Sequence, residues 1–252
     1  MIMEKKQREK ADPGERIDRI GFGELKLIQN PRWFCYGIDA VLLGDFAKNH
    51  KNARITDLGT GTGILPLILY HKAKPFHVTG VEVQEEVAEM ARRTVELNAL
   101  SEKITILKGN VKDAASQIGR QTQDAVVTNP PYMAAGEGIL NEAAERAAAR
   151  HEILGSLEDF ISCASEILKE GGSFYMIHRP HRMVDVMVLC RRYRLEPKQM
   201  QLIQPRKDQS PNLFLLHCVK YGRPELKILE PLWVYEEEGG YSQRIRQIYE
   251  RT

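Results

Sequence analysis

Short apolar stretches alternate with longer amphipathic ones through the middle of the chain. Residues 53–59 (ARITDLG), 77–83 (HVTGVEV), 103–109 (KITILKG), 123–129 (QDAVVTN) and 173–178 (SFYMIH) predict five short buried strands. Between the first of these, TGILPLILYHKA and QEEVAEMARRTVELNAL predict helices. The first tolerates Pro66 because it falls near the opening turn. The second is amphipathic, with Val87, Met90, Ala91, Thr94, Val95 and Asn98 on helical spacing. A further helix begins at Ser156 or Leu157 and runs to Lys169, closed by Gly171 and Gly172. Another covers PHRMVDVMVLCRRY, with Pro180 in its first turn, and EPKQMQLIQP and NLFLLHCVKY predict two closing strands. Strands alternating with helices in this way predict an α/β fold: a doubly wound, mostly parallel, seven-stranded sheet with an antiparallel edge.

Residues 16–50 predict a small hairpin or lid and a helix, since ELKLIQN has strand character and GIDAVLLGDFA helix character. Residues 222–252 carry a short strand candidate, PLWVY, and a polar helix candidate, YSQRIRQIYER. The expected organisation is a disordered arm at 1–15, a hairpin and helix lid at 16–50, the main domain at 51–221 and an extension at 222–252.

Composition narrows the class without naming a function. A chain of 252 residues, 42% hydrophobic and 28% charged, suits one α/β domain with modest additions. The longest apolar runs, such as GILPLILY, are too short to span a bilayer. The opening MIMEKKQREKADPGE has no apolar core, so a secretory signal is not expected. Cys35, Cys163, Cys190 and Cys218 lie far apart without a CxxC pair, which argues against a zinc or redox motif. Free buried thiols in a reducing cytoplasm are the simplest expectation. The formal net charge of +2 does not by itself announce nucleic acid. Positive residues nevertheless cluster at 178–182 (HRPHR), 190–194 (CRRYR) and 205–207 (PRK), where they either contact phosphates or form ordinary solvated surface.

Candidate chemistry enters with DLGTGTG, which holds Asp57, Gly59, Gly61 and Gly63. The motif follows a predicted strand and opens a predicted helix, the context in which glycines let a ligand lie against main-chain N–H groups. The spacing is GxGxG, not the GxGxxG of dinucleotide sites, because Ile64 occupies the next position. Asp57 would repel a pyrophosphate but can accept from an ammonium, directly or through water, which suits the methionine part of S-adenosylmethionine. Glu82, at the end of the next strand, can accept both hydroxyls of a ribose. Asn110, after the third strand, can pair with an adenine edge. Together these residues predict a nucleoside-cofactor site on a Rossmann-like sheet.

A second motif, Asn129-Pro130-Pro131-Tyr132, follows the fourth strand, at the end where such sheets bind ligands. The two prolines stiffen the turn. The Asn129 carboxamide oxygen and the Pro130 carbonyl can accept two hydrogen bonds from one –NH2 group, and Tyr132 can stack on a planar substrate. Acceptors placed in this way concentrate the delocalised lone pair of a ring-bound or amide nitrogen toward an incoming methyl group.

At these residues the sequence resembles class I S-adenosylmethionine-dependent N6-adenine and N5-glutamine methyltransferases, which share N/D-P-P-Y/F/W, over about Ile55 to Ile177. A closer resemblance, to bacterial tRNA(Val) adenine-N6 methyltransferases of the Gram-positive type, is carried by RWFCYGIDAVLLGDFA, GVEVQ, ARHE at 149–152 and the tail LLHCVKYGRPELKILEPLWVY. The resemblance implies a class I methyltransferase domain at 51–221, S-adenosylmethionine as cofactor and tRNA as partner, with the adenine beside the anticodon as target. It places Asp57, Gly59, Gly61, Gly63, Glu82 and Asn110 on the cofactor, and Tyr36, Gly37 and Asp39 over its methionine side. It places Asn129, Pro130 and Tyr132 on the target base, and Arg150 and His151 in the loop bordering the site, where they touch RNA or anchor the loop. Asn110 departs from the pattern, since many relatives carry Asp there. Arg206 and Lys207 are the preferred RNA-contacting cations. A cytoplasmic monomer, independent of metal and membrane, is expected.

Rival readings are a protein glutamine methyltransferase, an NAD-dependent oxidoreductase and a non-catalytic RNA-binding relative. The short segment ahead of the glycine turn disfavours the first. GxGxG and the otherwise unexplained NPPY disfavour the second. Methyl transfer that depends on Asn129 would separate the enzyme from the third.

Overall fold

Nine strands form one mixed sheet in the computed structural model, which describes residues 11–31, 36–48, 50–132 and 155–250. Chain order begins with a separate hairpin, β1 (Arg16–Arg19) and β2 (Lys26–Gln29), followed by α1 (Ile38–Phe46). Next come β3 (Arg54–Leu58), α2 (Ile64–Ala73), β4 (His77–Glu82), α3 (Glu85–Leu97) and β5 (Ile104–Lys108). They are followed by α4 (Ala114–Ile118), β6 (Gln123–Thr128), α5 (Leu157–Ile167), β7 (Leu168–His178) and α6 (Met183–Arg192). The chain closes with β8 (Leu195–Gln204), β9 (Leu213–Lys220), the two-residue strands β10 (Lys227–Ile228) and β11 (Leu232–Trp233), and α7 (Gln243–Ile248).

The sheet order is β10-β8-β9-β7-β6-β3-β4-β5, with β11 also on β8. Strands β7, β6, β3, β4 and β5 run parallel, while β9 is antiparallel to both β7 and β8. The expected seven strands are therefore present, and two short ones extend the edge because residues 227–228 and 232–233 lie alongside β8. One boundary differs from expectation. Helix α5 ends at Ile167, and Leu168 already pairs with Gln123 of β6, so sheet pairing stops the helix before the glycines do.

Each face of the sheet has its own core. Helices α1, α2 and α3 pack on one side around Leu42, Leu67, Ile68 and Ala91, together with Phe22 of the hairpin and Ile245 of α7. Helices α4, α5 and α6 cover the other around Phe160, Ile161, Phe174 and Cys190. Helix α2 is apolar on nearly every side, as befits a helix buried by neighbours as well as by the sheet. It approaches α1 so closely that a Cβ on Gly44 would lie 2.5 Å from Ile68 Cγ2. Helix α5 starts at a capping box between Ser156 and Asp159, which satisfies N–H groups that a helix start would otherwise leave unpaired.

The last thirty or so residues share the first core. Phe22 stacks on Tyr249 at 6.0 Å, Tyr249 on Tyr241 at 5.4 Å and Tyr241 on Tyr235 at 5.7 Å. Buried Lys72 donates to the Ile248 carbonyl at 2.8 Å and to Asp45 at 3.2 Å, with its ammonium over the Phe22 ring. At the other terminus, Glu15 accepts from Arg93 at 2.6 and 2.8 Å, while residues 1–10 of the expected arm lie outside the described residues. Cys163, Cys190 and Cys218 are buried and free, and Cys35 is outside the described residues. Among the described residues no helix is long and apolar enough to cross a membrane.

Candidate active site

Parallel strands deliver their following loops to one edge of the sheet, and here the two motifs leave neighbouring strands at the same level. Leu58 of β3 pairs in register with Thr128 of β6, and the Thr128 hydroxyl donates to the Leu58 carbonyl at 2.8 Å. The glycine turn and the NPPY turn therefore begin side by side.

In the first turn Gly59, Gly61 and Gly63 have φ of 77°, 56° and 83°, a region that side chains strongly disfavour. The N–H groups of Gly59 and Thr60 both donate to the Val81 carbonyl at 2.9 Å, which ties the bend to β4. A Cβ on Gly59 would press on Phe160 at 3.1 Å, whereas one on Gly61 would meet nothing within 4 Å among the described residues. The Gly59 position is thus closed by packing, and Gly61 is open among the described residues. Glu82 is buried at the end of β4 and accepts from Gly61 N–H at 3.0 Å through one oxygen and from Gln84 N–H at 2.9 Å through the other. Each oxygen keeps a further lone pair.

Asp57 is only 1% exposed, and its Oδ2 has no hydrogen-bond partner among the described residues. Thr60 Oγ1 beside it is also buried without one. Burial raises the Asp57 pKa to about 7 and the Glu82 carboxylate adds to the rise, while the Thr60 hydroxyl opposes it without reaching hydrogen-bonding geometry. A folded protein rarely leaves buried polar atoms unsatisfied. Orphaned acceptors, an open glycine and an acid positioned by main-chain N–H groups fit a bound nucleoside cofactor with a cationic amino-acid end.

Asn110 follows β5, and its side-chain oxygen accepts from Lys112 N–H at 3.0 Å, which holds the turn. Gly37 caps α1 in an extended conformation, and Tyr36 N–H donates to Gln29 Oε1 at 2.9 Å. Asp39, expected over the cofactor, accepts a hydrogen bond from Tyr132 of the second motif.

That second motif is a corner of interlocked side chains. Tyr132 Oη lies 2.6 Å from Asp39 Oδ2 and 2.7 Å from Asn129 Oδ1, so its single proton serves two acceptors. Burial and the Asp39 carboxylate push the Tyr132 ionisation far above its ordinary range, so the hydroxyl stays protonated. The ring meets buried His178 edge-on at 5.2 Å, and the Arg179 guanidinium lies 4.9 Å from its centre. Pro130 is buried and Asn129 half-buried. His178 accepts from Arg179 N–H through Nδ1 at 2.8 Å, and burial lowers its pKa to about 4, which keeps the ring neutral.

Strand register brings a third loop to this edge. His178, the last residue of β7, pairs with Phe214 of β9, and Leu213 pairs with Ile203 near the end of β8. The β8–β9 turn carrying exposed Arg206 and Lys207 thus stands beside the end of β7. Lys207 lies 5.8 Å from the centre of the Trp233 ring. Arg179 joins the two regions, since it also donates to the Asn212 carbonyl at 3.2 Å. Arg150 and His151 lie outside the described residues. His178, Arg179 and Thr60 were not singled out by sequence. The HRPHR cluster flagged charge, but its link to Tyr132 depends on β6 and β7 being neighbours, which no local pattern reveals.

An open cleft of about 490 Å³, lined by Phe22, Leu25, Tyr70, His71 and Asn98 among others, lies where the hairpin meets the carboxyl ends of α2 and α3. It shares no residue with either motif.

Comparisons with known proteins point the same way. The methyltransferase small domain family matches residues 24–191. A tRNA1(Val) (adenine(37)-N6)-methyltransferase of Porphyromonas gingivalis is 31% identical over 204 residues, 79% of each chain. One of Yersinia pseudotuberculosis is 32% identical over 150 residues, 58% of this chain and 57% of the other. A solved structure of a "predicted O-methyltransferase" from Agrobacterium tumefaciens superposes with a TM-score of 0.69 at 25% identity, covering 84% of this chain and 95% of that one. The T. thermophilus 16S rRNA N2 G1207 methyltransferase shares the fold, with a TM-score of 0.58 at 22% identity, covering 82% of this chain and 50% of that one. The chain belongs to the methyltransferase small domain family, alongside the bacterial tRNA1(Val) (adenine(37)-N6)-methyltransferases that it resembles over most of its length.

Proposed function

We propose that this protein transfers a methyl group from S-adenosylmethionine to N6 of an adenine in tRNA, at position 37 beside the anticodon of tRNA-Val. The observation that carries the reading is the register of β3 and β6, which starts the glycine turn and the NPPY turn side by side. The cofactor supplies an electrophilic methyl on a sulfonium. The chain supplies position and hydrogen-bond acceptors.

On the cofactor side, Glu82 is set to receive the ribose hydroxyls and Asp57 the cationic amino-acid end. Gly61 leaves room for close approach, and Asn110 borders the adenine. Tyr36 and Gly37 stand over the methionine portion. On the target side, Asn129 Oδ1 has a second lone pair beyond the one engaged by Tyr132. That lone pair and the Pro130 carbonyl accept from the adenine –NH2 and favour a more tetrahedral nitrogen. Tyr132 offers its ring to the base. No strong base is required, because the proton leaves the nitrogen after the methyl arrives. Arg206 and Lys207, on the same edge, meet the RNA backbone, and Arg150 and His151 border the site. The protein acts as a cytoplasmic monomer.

Likeness to tRNA adenine-N6 methyltransferases favours a nucleobase over a glutamine carboxamide, and the family weighs against nicotinamide chemistry and against a purely binding role. The test is mass mapping of modified nucleosides in tRNA from cells with and without this protein, paired with labelled cofactor and purified tRNA-Val. Loss of N6-methyladenosine at position 37 is expected. Label confined to protein, with tRNA unchanged, would remove the proposal.

A further inference from the structure

Arg179 occupies a position that the methyl-transfer chemistry does not explain. It follows the last residue of β7, half-buried, with its guanidinium 4.9 Å from the centre of the Tyr132 ring and a hydrogen bond to the Asn212 carbonyl at 3.2 Å. Among the described residues, no carboxylate stands within ion-pair distance of it. Arg182, in the turn that follows, is by contrast paired with Asp185 at 2.6 Å. A guanidinium half removed from water, with no counter-ion among the described residues, is poised for an anion. Its neighbours define which anion. On one side lies the ring set to stack on a target base, and on the other the turn that carries Arg206 and Lys207. A base entering that slot carries its own phosphates into the space between the two.

We propose that Arg179 is a positioning and phosphate-binding residue for the target nucleotide. Its planar group braces the Tyr132 ring, and its charge receives a backbone phosphate adjoining the methylated base. This rests on the tRNA reading above and extends it to a residue outside both motifs. The two contributions are separable. Lysine keeps the charge but cannot reproduce a flat guanidinium against the ring, whereas methionine keeps the stem and loses the charge.

The experiment compares wild type, Arg179→Lys and Arg179→Met for tRNA binding across salt concentrations, for kcat and KM with tRNA, and for S-adenosylmethionine affinity. Arg179→Met should raise KM for tRNA about tenfold and lower the salt slope of binding by roughly 0.7–0.9, the value of one phosphate contact. Arg179→Lys should keep the salt slope yet lower kcat several-fold, because the ring loses its brace. Cofactor affinity and the melting temperature should stay at wild-type values in both. A salt slope and kcat unchanged in Arg179→Met, while wild type methylates tRNA, would overturn the role of Arg179 alone. Equal losses in both variants together with weakened cofactor binding would show a merely structural residue and overturn it as well. Wild type that transfers no methyl group to tRNA would instead remove the parent reading.

Discussion

The Tyr132 hydroxyl and the Asp39 carboxylate lie 2.6 Å apart, joining the first turn of α1 to the NPPY corner. The segment expected over the cofactor and the segment expected under the target base are therefore one hydrogen-bonded unit. Asp39→Asn should loosen that unit by about 1–2 kcal/mol, the worth of a charge-assisted hydrogen bond exchanged for a neutral one. Denaturant melts would read the loss. Methyl-transfer assays should show kcat falling more than the cofactor Kd rises, and a variant that changes only the cofactor Kd would separate Asp39 from the corner.

Asn129→Ala should lower kcat by about 10²–10³, the usual cost of deleting one hydrogen-bonding group that acts on the reacting centre. Cofactor affinity, read by calorimetry, should stay nearly constant because Asn129 belongs to the other turn. Full turnover in Asn129→Ala would mean that the amine is not held by this carboxamide.

Asp57 links pH to both stability and binding. Its folded pKa of about 7 lies above the ordinary 3.8, so the fold binds the proton more tightly than the unfolded chain does. The resulting stability is fully present below pH 3.8 and is lost as pH rises through about 7. Asp57→Asn removes this term. The variant without cofactor should be more stable than wild type at pH 8, by on the order of 3 kcal/mol, with the difference narrowing at pH 5. The same variant should bind S-adenosylmethionine at least about tenfold more weakly, as expected when a buried charge partner is removed. Wild-type affinity should improve from pH 5.5 to 8 as the carboxyl ionises. An affinity flat in pH would exclude Asp57 as the partner of the cofactor's cationic end.

Histidines act in the opposite sense. His217 stacks on Tyr175 at 4.5 Å, and burial lowers its pKa to about 4, as it does for His178. Their contribution is present above pH 6.5 and is lost as pH falls toward 4, because the unfolded chain takes up the protons first. For partly exposed His217 this should amount to about 1–2 kcal/mol of acid destabilisation, and for buried His178 to somewhat more. Urea melts at pH 7.5 and 4.5 should show a smaller drop in His217→Gln than in wild type.

Replacing Arg206 and Lys207 together with alanine should lower the salt slope of tRNA binding by roughly one to two and leave melting unchanged, since both side chains are exposed. An unaltered slope would move the RNA path away from the β8–β9 turn.

The periodicity of the chain carried most of the fold, because the parallel strands are short apolar runs and α3 has one clear apolar face. The glycine turn was legible because backbone conformation there demands glycine. Asp57 and Glu82 could be placed at or next to the ends of strands because the alternating pattern marks where those strands stop. What stayed hidden was set by tertiary neighbours. Tyr132 reaches Asp39 across 93 positions of sequence, and Arg179 reaches it only because β7 lies beside β6. The early end of α5 had the same origin, since pairing of Leu168 with Gln123 overrode the glycine stop signal.

The aromatic column from Phe22 through Tyr249 to Tyr235 bears on how the chain tolerates shortening. Removing the tail after 221 would strip the cover from Phe22 and leave the Lys72 ammonium without its Ile248 acceptor, so damage at the carboxyl terminus would be felt at the amino-terminal hairpin.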